Sequence, residues 1–489
     1  MQSNSKVLHF YNSFKRYTSL CMSVDYTISR NLRDGGIGTR PISSNGLWCC
    51  ALLPALLISY NLLYKVSPLY TLVAYVAVGL FCYSILFVVF ISVSCLVLRE
   101  PIYGGCIASS LVSALMNFIF NTQGLTTSLF FSLTAVYLYS TMLRWSLTKF
   151  PKTYTIGEAM IVTQGLTLFT IAVIGRIMNI LHDSNEDMNL ISSIVLTALS
   201  TVGLLITGLC VISEKQRNIQ TFSYMFAVAA LFALVTLHVL LGLNCVFRIL
   251  NYIFLNRNRV QLFAFWLFLL MISIFLVLTR TKSAVKVNTV TRKSFHLLAS
   301  LVFMSGIIYD VYLTSLAAGI GLGFLILVEA LRKLNITPIS EALQSAFDVY
   351  SDEKDIGSFA MTPIYLYVGL ACPLILVPSY EGTTLELLSG VLATGVGDTA
   401  ASWFGSKYGT KKWTNSEKTV EGTIANVLSQ VATVYVLHLF GLLRNNTVLI
   451  RTMLAASISS VVEAKTDQVD NLILPLVTLL VFQINWMFG

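Results

Sequence analysis

The sequence predicts an all-α, polytopic integral membrane protein with about fifteen transmembrane helices and cytosol-facing active-site loops, and three observations carry that expectation. Of 489 residues, 56% are hydrophobic and only 11% are charged, whereas soluble domains carry roughly 25% charged residues. The apolar residues fall in long runs, such as the uncharged stretch 69–98, and about 20 such residues suffice to cross the hydrocarbon layer. Lysine and arginine concentrate in alternate loops, as the positive-inside rule requires. Backbone amides in lipid must be satisfied within the chain, so the runs are expected to be helices; the short alternating segments of a β-barrel are not seen.

The elements follow in order. The first 46 residues are polar and basic, with no apolar core, so no cleavable signal peptide is expected and the span beginning near Leu47 is read as the targeting signal. Spans are then expected over 47–64, 69–98, 105–120, 124–143, 157–181, 190–212, 221–243 and 260–279, joined by loops of ordinary polarity. The stretch 245–256 is apolar but contains Arg248, which suits an interfacial helix. Arg280 opens a basic cluster with Lys282, Lys286, Arg292 and Lys293. Beyond it lie the spans 295–309, 311–331, 360–378, 384–404, 423–440, 447–464 and 472–488, whose loops fill with charge and glycine. This change in character divides the chain into a cytosolic tail (1–46), an N-terminal transmembrane region (47–280) and a C-terminal region (281–489). No repeat of 20–50 residues is evident.

With Lys6, Lys15, Arg16, Arg30, Arg33 and Arg40 against Asp25 and Asp34, the N-terminus is placed in the cytosol. Eight spans then return 280–294 to that side, and the loops 332–358, 405–422 and 464–471 each follow two spans later. These four loops hold 13 of the basic residues, while the short loops between them add only Arg444 and Arg451. Arg248, Arg257 and Arg259 run against the pattern and fall on the far side. The net charge of +9 is therefore read as topology, and nucleic acid is not an expected partner. Nine cysteines form no CxxC pair, and the five histidines are scattered, which argues against zinc or a disulfide framework.

The stretch 389–422 is the most informative. Gly395, Gly397 and Asp398 interrupt an apolar span, and an ionisable residue within a span is costly enough to suggest function. After it comes Gly405-Ser406-Lys407-Tyr408-Gly409-Thr410-Lys411-Lys412-Trp413-Thr414-Asn415-Ser416-Glu417-Lys418-Thr419-Val420-Glu421-Gly422. Small residues permit close backbone approach to a ligand. Lysines suit phosphate oxygens, and Asp398, Glu417 and Glu421 suit a divalent cation, the two elements of phosphoryl transfer. A solvated basic loop after a glycine-packed helix would look the same. His296, beside Arg292 and Lys293, reads as a phosphate contact or as an interfacial histidine. Asp352, Glu353 and Asp355 read as metal ligands or a solvated loop, and Asp467, Asp470 and Asn471 as metal ligands or a helix cap. Glu329 and Arg332 suit a structural ion pair. Gly319, Gly321 and Gly323 suit close helix packing rather than a P-loop.

The pieces Gly397-Asp398-Thr399-Ala400-Ala401 with Gly405, and Glu417-Lys418-Thr419-Val420-Glu421-Gly422, resemble the polyprenol kinases that use CTP, above all the dolichol kinase family. They are also similar to the membrane cytidylyltransferases that make CDP-diacylglycerol. Arg292-Lys293-Ser294-Phe295-His296, the acidic run Asp352-Glu353-Lys354-Asp355, and Glu463 with Asp467, Asp470 and Asn471 extend the likeness over roughly 290–489, while the N-terminal half is similar only in general character. The resemblance implies transfer of the γ-phosphoryl group of CTP to dolichol at the endoplasmic reticulum membrane, supplying the lipid carrier for protein glycosylation. It implies Asp398, His296 and Lys418 as catalytic residues and 405–422 as the CTP loop. It further implies Asp398, Glu421, Asp467 and Asp470 as ligands of a divalent cation (Mg2+ or Ca2+), with dolichol and CTP as partners. Kinases of phytol or diacylglycerol are the nearest alternative. A lipid transporter or flippase is a more distant one, because the charges gather on one face rather than along a path through the bilayer.

Overall fold

A helix forms in every one of the fifteen expected segments of the computed structural model, which describes residues 22–178, 186–283, 289–350 and 355–484, apart from 43, 122, 123, 415 and 446. Among the described residues there is no strand, only an isolated bridge between Lys412 and Thr419. Among the described residues, eight helices are long and apolar enough to cross a membrane: Pro68–Val93, Tyr103–Phe120, Ile156–Ile177, Asp187–Val211, Ile219–Leu241, Arg257–Thr279, Val311–Lys333 and Val420–Leu439. Others are shorter, such as Met361–Leu376 with 16 residues. The protein is thus a multi-pass helical membrane protein. Large apolar side chains such as Phe90, Val93 and Phe268 are exposed on its surface, as lipid contact requires.

The chain divides into two compact units. The first comprises residues up to 175 together with 356–358. Its interior is joined by hydroxyls and amides: Ser84 with Tyr139 at 2.6 Å, Ser113 with Ser132 at 2.9 Å, and Gln164 to the Cys50 carbonyl at 3.0 Å. Lipid supplies no hydrophobic drive between helices, so small residues and interhelical hydrogen bonds hold such bundles. The segment read as a polar tail contains a helix over 22–34 with Ile28 and Leu32 buried. Arg40, counted above as a topology-setting charge, is instead buried and ion-paired with Glu158. The overlooked signal was Glu158 itself, an acid at the start of an apolar run that needs a partner.

The second unit comprises 176–355 and 359–489. Its helix Val311–Lys333 packs closely through glycine: a side chain at Gly319 would meet Val195, and one at Gly321 would meet Tyr367. This is the packing role expected from sequence. Asp310 caps the helix by accepting from the Leu313 amide at 2.9 Å. At the other end Arg332 donates to both Glu329 oxygens, at 2.8 and 2.6 Å, and to Gln344 at 2.7 Å. The polar loop 332–358 contains an unexpected helix, Ile339–Tyr350. Six other helices of this unit, Thr289–Tyr309, Met361–Leu376, Thr399–Tyr408, Val420–Leu439, Val448–Lys465 and Asp470–Ile484, pack around one wide helical segment, Val391–Asp398.

Candidate active site

Val391–Asp398 is wound as a π-helix, a rare geometry that recurs at functional sites. Two glycines let it lie close to its neighbours. A side chain at Gly395 would overlap Ser300 of Thr289–Tyr309, and one at Gly397 would overlap Asn426 and Gln430 of Val420–Leu439. Asp398, at the end of the segment, is 5% exposed. It forms an ion pair with Lys293, so the acid that looked solitary in sequence carries its own cation. His296 lies one turn beyond Lys293, buried, with Asp398 and Asn471 near enough to act on its ring. Its Nδ1 has no hydrogen-bond partner among the described residues. Arg292 adjoins Lys293 on the same turn.

Lys418 is presented by a hairpin in which the Val420 amide donates to the Lys411 carbonyl at 2.8 Å and the Trp413 amide to the Lys418 carbonyl at 2.9 Å. Its ammonium donates to the Glu463 carbonyl at 2.8 Å and lies 3.3 Å from the Glu463 carboxylate and 3.2 Å from Asp470. Burial alone would lower this lysine's pKa, but Asp470, Glu463 and Asp398 outweigh it and raise it above the ordinary value. Glu463 accepts from Asn426 at 2.6 Å, and Asn426 accepts from Gln430 at 2.6 Å. A continuous polar chain thus runs from Lys418 to the two amides that abut Gly397, one residue before Asp398. Asn426 and Gln430 escaped the sequence reading. The available signal was a pair of amides four residues apart on an otherwise apolar helix, where they share one face.

Much of the glycine- and lysine-rich loop builds the fold. Thr419 caps Val420–Leu439 by accepting from the Gly422 amide at 3.2 Å. Glu421 accepts from Thr410 at 2.5 Å and from the Lys411 amide at 3.2 Å. A side chain at Gly422 would meet the Ala401 carbonyl at 2.9 Å. Lys412 pairs with Glu417 and holds that carboxyl below its usual range. Lys407 lies over Trp403 at 5.1 Å and Lys465 over Trp413 at 5.0 Å. Lys407, Lys411 and Lys412 are exposed, so the loop offers a basic outer face. The other expected site residues are spread more widely. Asp470 meets Lys418, Asn471 lies beside His296, and Asp467 is exposed. Asp355 accepts from the Thr362 amide at 3.0 Å, next to the start of Met361–Leu376. Asp352, Glu353 and Asn415 lie outside the described residues. Among the described residues, no three histidine, cysteine or acidic side chains converge to hold a metal ion.

The dolichol kinase family model matches residues 76–447, so the likeness reaches well into the N-terminal half. The chain is similar to the dolichol kinases of Bos taurus (32% identity over 352 residues) and Homo sapiens (31% over 352 residues). Both alignments cover 68% of this chain and 65% of the relative's length. Dolichol kinase EVAN of Arabidopsis thaliana is 27% identical over 387 residues, covering 71% of this chain and 67% of its own. No solved structure matches.

Proposed function

Because the chain belongs to the dolichol kinase family, we propose that it transfers the γ-phosphoryl group of CTP to dolichol, giving dolichyl phosphate and CDP. The observation that carries this reading is the Lys293–Asp398 ion pair at the end of the π-helical segment, beside the Lys418–Glu463–Asp470 cluster. A long polyprenol must stay in lipid with its hydroxyl at the interface, while a nucleotide stays in water. Asp398 sits between an apolar helix and a basic loop, where the two can meet.

In the reaction, the lipid hydroxyl oxygen bonds to the γ-phosphorus, the bond from that phosphorus to the β–γ bridging oxygen breaks, and CDP leaves with the electron pair. Asp398 takes the hydroxyl proton. Catalysis of this kind is mostly positioning and charge neutralisation. Lys293 and Lys418 face the transferred group, the exposed lysines of 405–422 receive the outer phosphates, and His296 is within reach of the same carboxylate. A divalent cation, Mg2+ or Ca2+, would be held by Asp398 and Asp470 together with the nucleotide's own phosphates, as is usual when one or two carboxylates supply the protein's share. When bound it would neutralise phosphate charge.

The same reading makes all fifteen helical segments membrane-spanning, assigns the chemistry to 281–489, and places the protein in the endoplasmic reticulum membrane with this site facing the cytosol. The test is an assay of purified protein with labelled CTP or ATP against dolichol, phytol and diacylglycerol. Turnover with CTP and dolichol well above every other pairing is expected. Equal turnover with ATP would remove the donor assignment, and preference for a short alcohol would remove the acceptor.

A further inference from the structure

A second polar site lies at the other end of the helix that carries Lys293. Thr289–Tyr309 begins beside Asp398, and Asp310 immediately after it receives Arg259 at 2.6 Å. From Lys293 to Asp310 the helical rise gives roughly 25 Å, close to the thickness of the hydrocarbon layer. The two sites therefore belong to opposite membrane faces.

A cavity of about 660 Å³ opens there, between the amphipathic helix Cys245–Phe254 and the start of Arg257–Ser283, and Arg248, Asn251, Tyr252, Asn256, Arg257 and Arg259 line it with Asp187. Arg259 is neutralised: it pairs with Asp310, lies 3.8 Å from Asp187, and stacks over the Tyr252 ring at 3.8 Å. Arg248 donates only to the Leu241 carbonyl, at 3.3 Å, and neither it nor Arg257 has an ion pair among the described residues. Tyr252 is 8% exposed, and its hydroxyl has no hydrogen-bond partner among the described residues. The cavity thus offers two uncompensated guanidiniums and two amides, with the Tyr252 hydroxyl buried behind its wall. Beside it Phe247, Phe254 and Leu255 are exposed at 66%, 55% and 84%, side chains suited to acyl chains rather than water.

We infer that this cavity binds the anionic, phosphate-bearing headgroup of a membrane lipid in the leaflet opposite the Asp398 site, and not a zwitterionic one. Guanidinium forks match phosphate oxygens in pairs, and basic pockets among spanning helices hold anionic headgroups. Such a ligand also accounts for Arg248 and Arg257, the two unpaired arginines placed against the positive-inside pattern.

The experiment titrates the purified full-length protein, in uncharged detergent, with phosphatidate, with phosphatidylcholine and with inorganic phosphate. Bound lipid is read by native mass spectrometry and the unfolding midpoint by light scattering. Phosphatidate should bind and raise the midpoint. Arg248→Gln with Arg257→Gln should weaken it roughly thirtyfold, the loss expected for two cations facing an anionic headgroup. Both arginines are exposed, so the fold should survive. Lys215→Gln, at an exposed lysine just beyond the opposite end of Asp187–Val211, should leave this binding unchanged. Unchanged affinity in the double variant, equal binding of phosphatidylcholine, or loss of binding in Lys215→Gln would each overturn the inference. Equal stabilisation by millimolar inorganic phosphate would make this a free-anion site and overturn the lipid assignment.

Discussion

Lys293 and Asp398, 105 residues apart in the chain, form an ion pair in which the side chains are only 16% and 7% exposed. Removing one partner of such a pair leaves the other desolvated and uncompensated, at a cost of a few kcal/mol.

Asp398→Asn should therefore lower both activity and stability. Turnover should fall about 10²–10⁴-fold, the usual contribution of a proton-accepting group. The unfolding midpoint should fall as well, because Lys293 is stranded. Adding Lys293→Met to Asp398→Asn should restore the midpoint and leave the enzyme inactive. Activity within a few-fold of wild type in Asp398→Asn, at normal expression, would remove Asp398 from the chemistry.

Lys418→Met should raise the CTP requirement more than the dolichol requirement and bring Glu463 and Asp470 into mutual repulsion. The lysine's folded pKa is raised, so its pairing stabilises fully below the unfolded value of about 10.4 and is lost only as pH climbs through the folded value. The wild-type midpoint should then show no lysine-type decline between roughly pH 7 and 9.5, well below both values. A decline centred in that window and absent from Lys418→Met would contradict the arrangement.

Gly397→Ala places a methyl group where Asn426 and Gln430 already stand. Overpacking of this kind costs about 1–3 kcal/mol, and here it also pushes the π-helical segment and Asp398 away from the amide pair. Gly203→Ala is the control, since nothing lies within 4 Å of its added carbon. Thermal midpoints and turnover should drop in the first variant and hold or rise slightly in the second. Similar behaviour of the two would show that the close approach at Gly397 does not matter.

The helices were legible because an apolar run in lipid has hardly another way to satisfy its backbone. Asp398 and Lys418 stood out for a related reason: a charge in or beside an apolar run is conspicuous. Their partners were much less visible. Lys293 looked like one cation among five in a basic cluster, and Arg40 like a charge that sets topology, because sequence spacing does not say which charges fold back on an acid. Asn426 and Gln430 are neutral and sit inside a span, so composition gave them little weight. In the 405–422 loop the sequence read ligand binding into residues such as Thr419 and Glu421, which also cap a helix and tie down a hairpin.

The opposed faces of the second unit give a direct topological test. Thr414 is exposed in the hairpin that presents Lys418, and Asn256 is exposed beside Arg257 at the far end of the same set of helices. Single cysteines introduced at each position, in a background cleared of the nine native cysteines, should behave oppositely in sealed endoplasmic reticulum vesicles. An impermeant thiol reagent added outside should label Thr414→Cys at once. It should label Asn256→Cys only after detergent opens the vesicle. The helical distance between the two ends matches a bilayer core, so partial labelling of both from one side is not expected for an inserted protein. Prompt outside labelling of Asn256→Cys with protection of Thr414→Cys would reverse the orientation and place nucleotide binding in the lumen. Prompt labelling of both would mean that the segments between them do not cross the membrane as assigned.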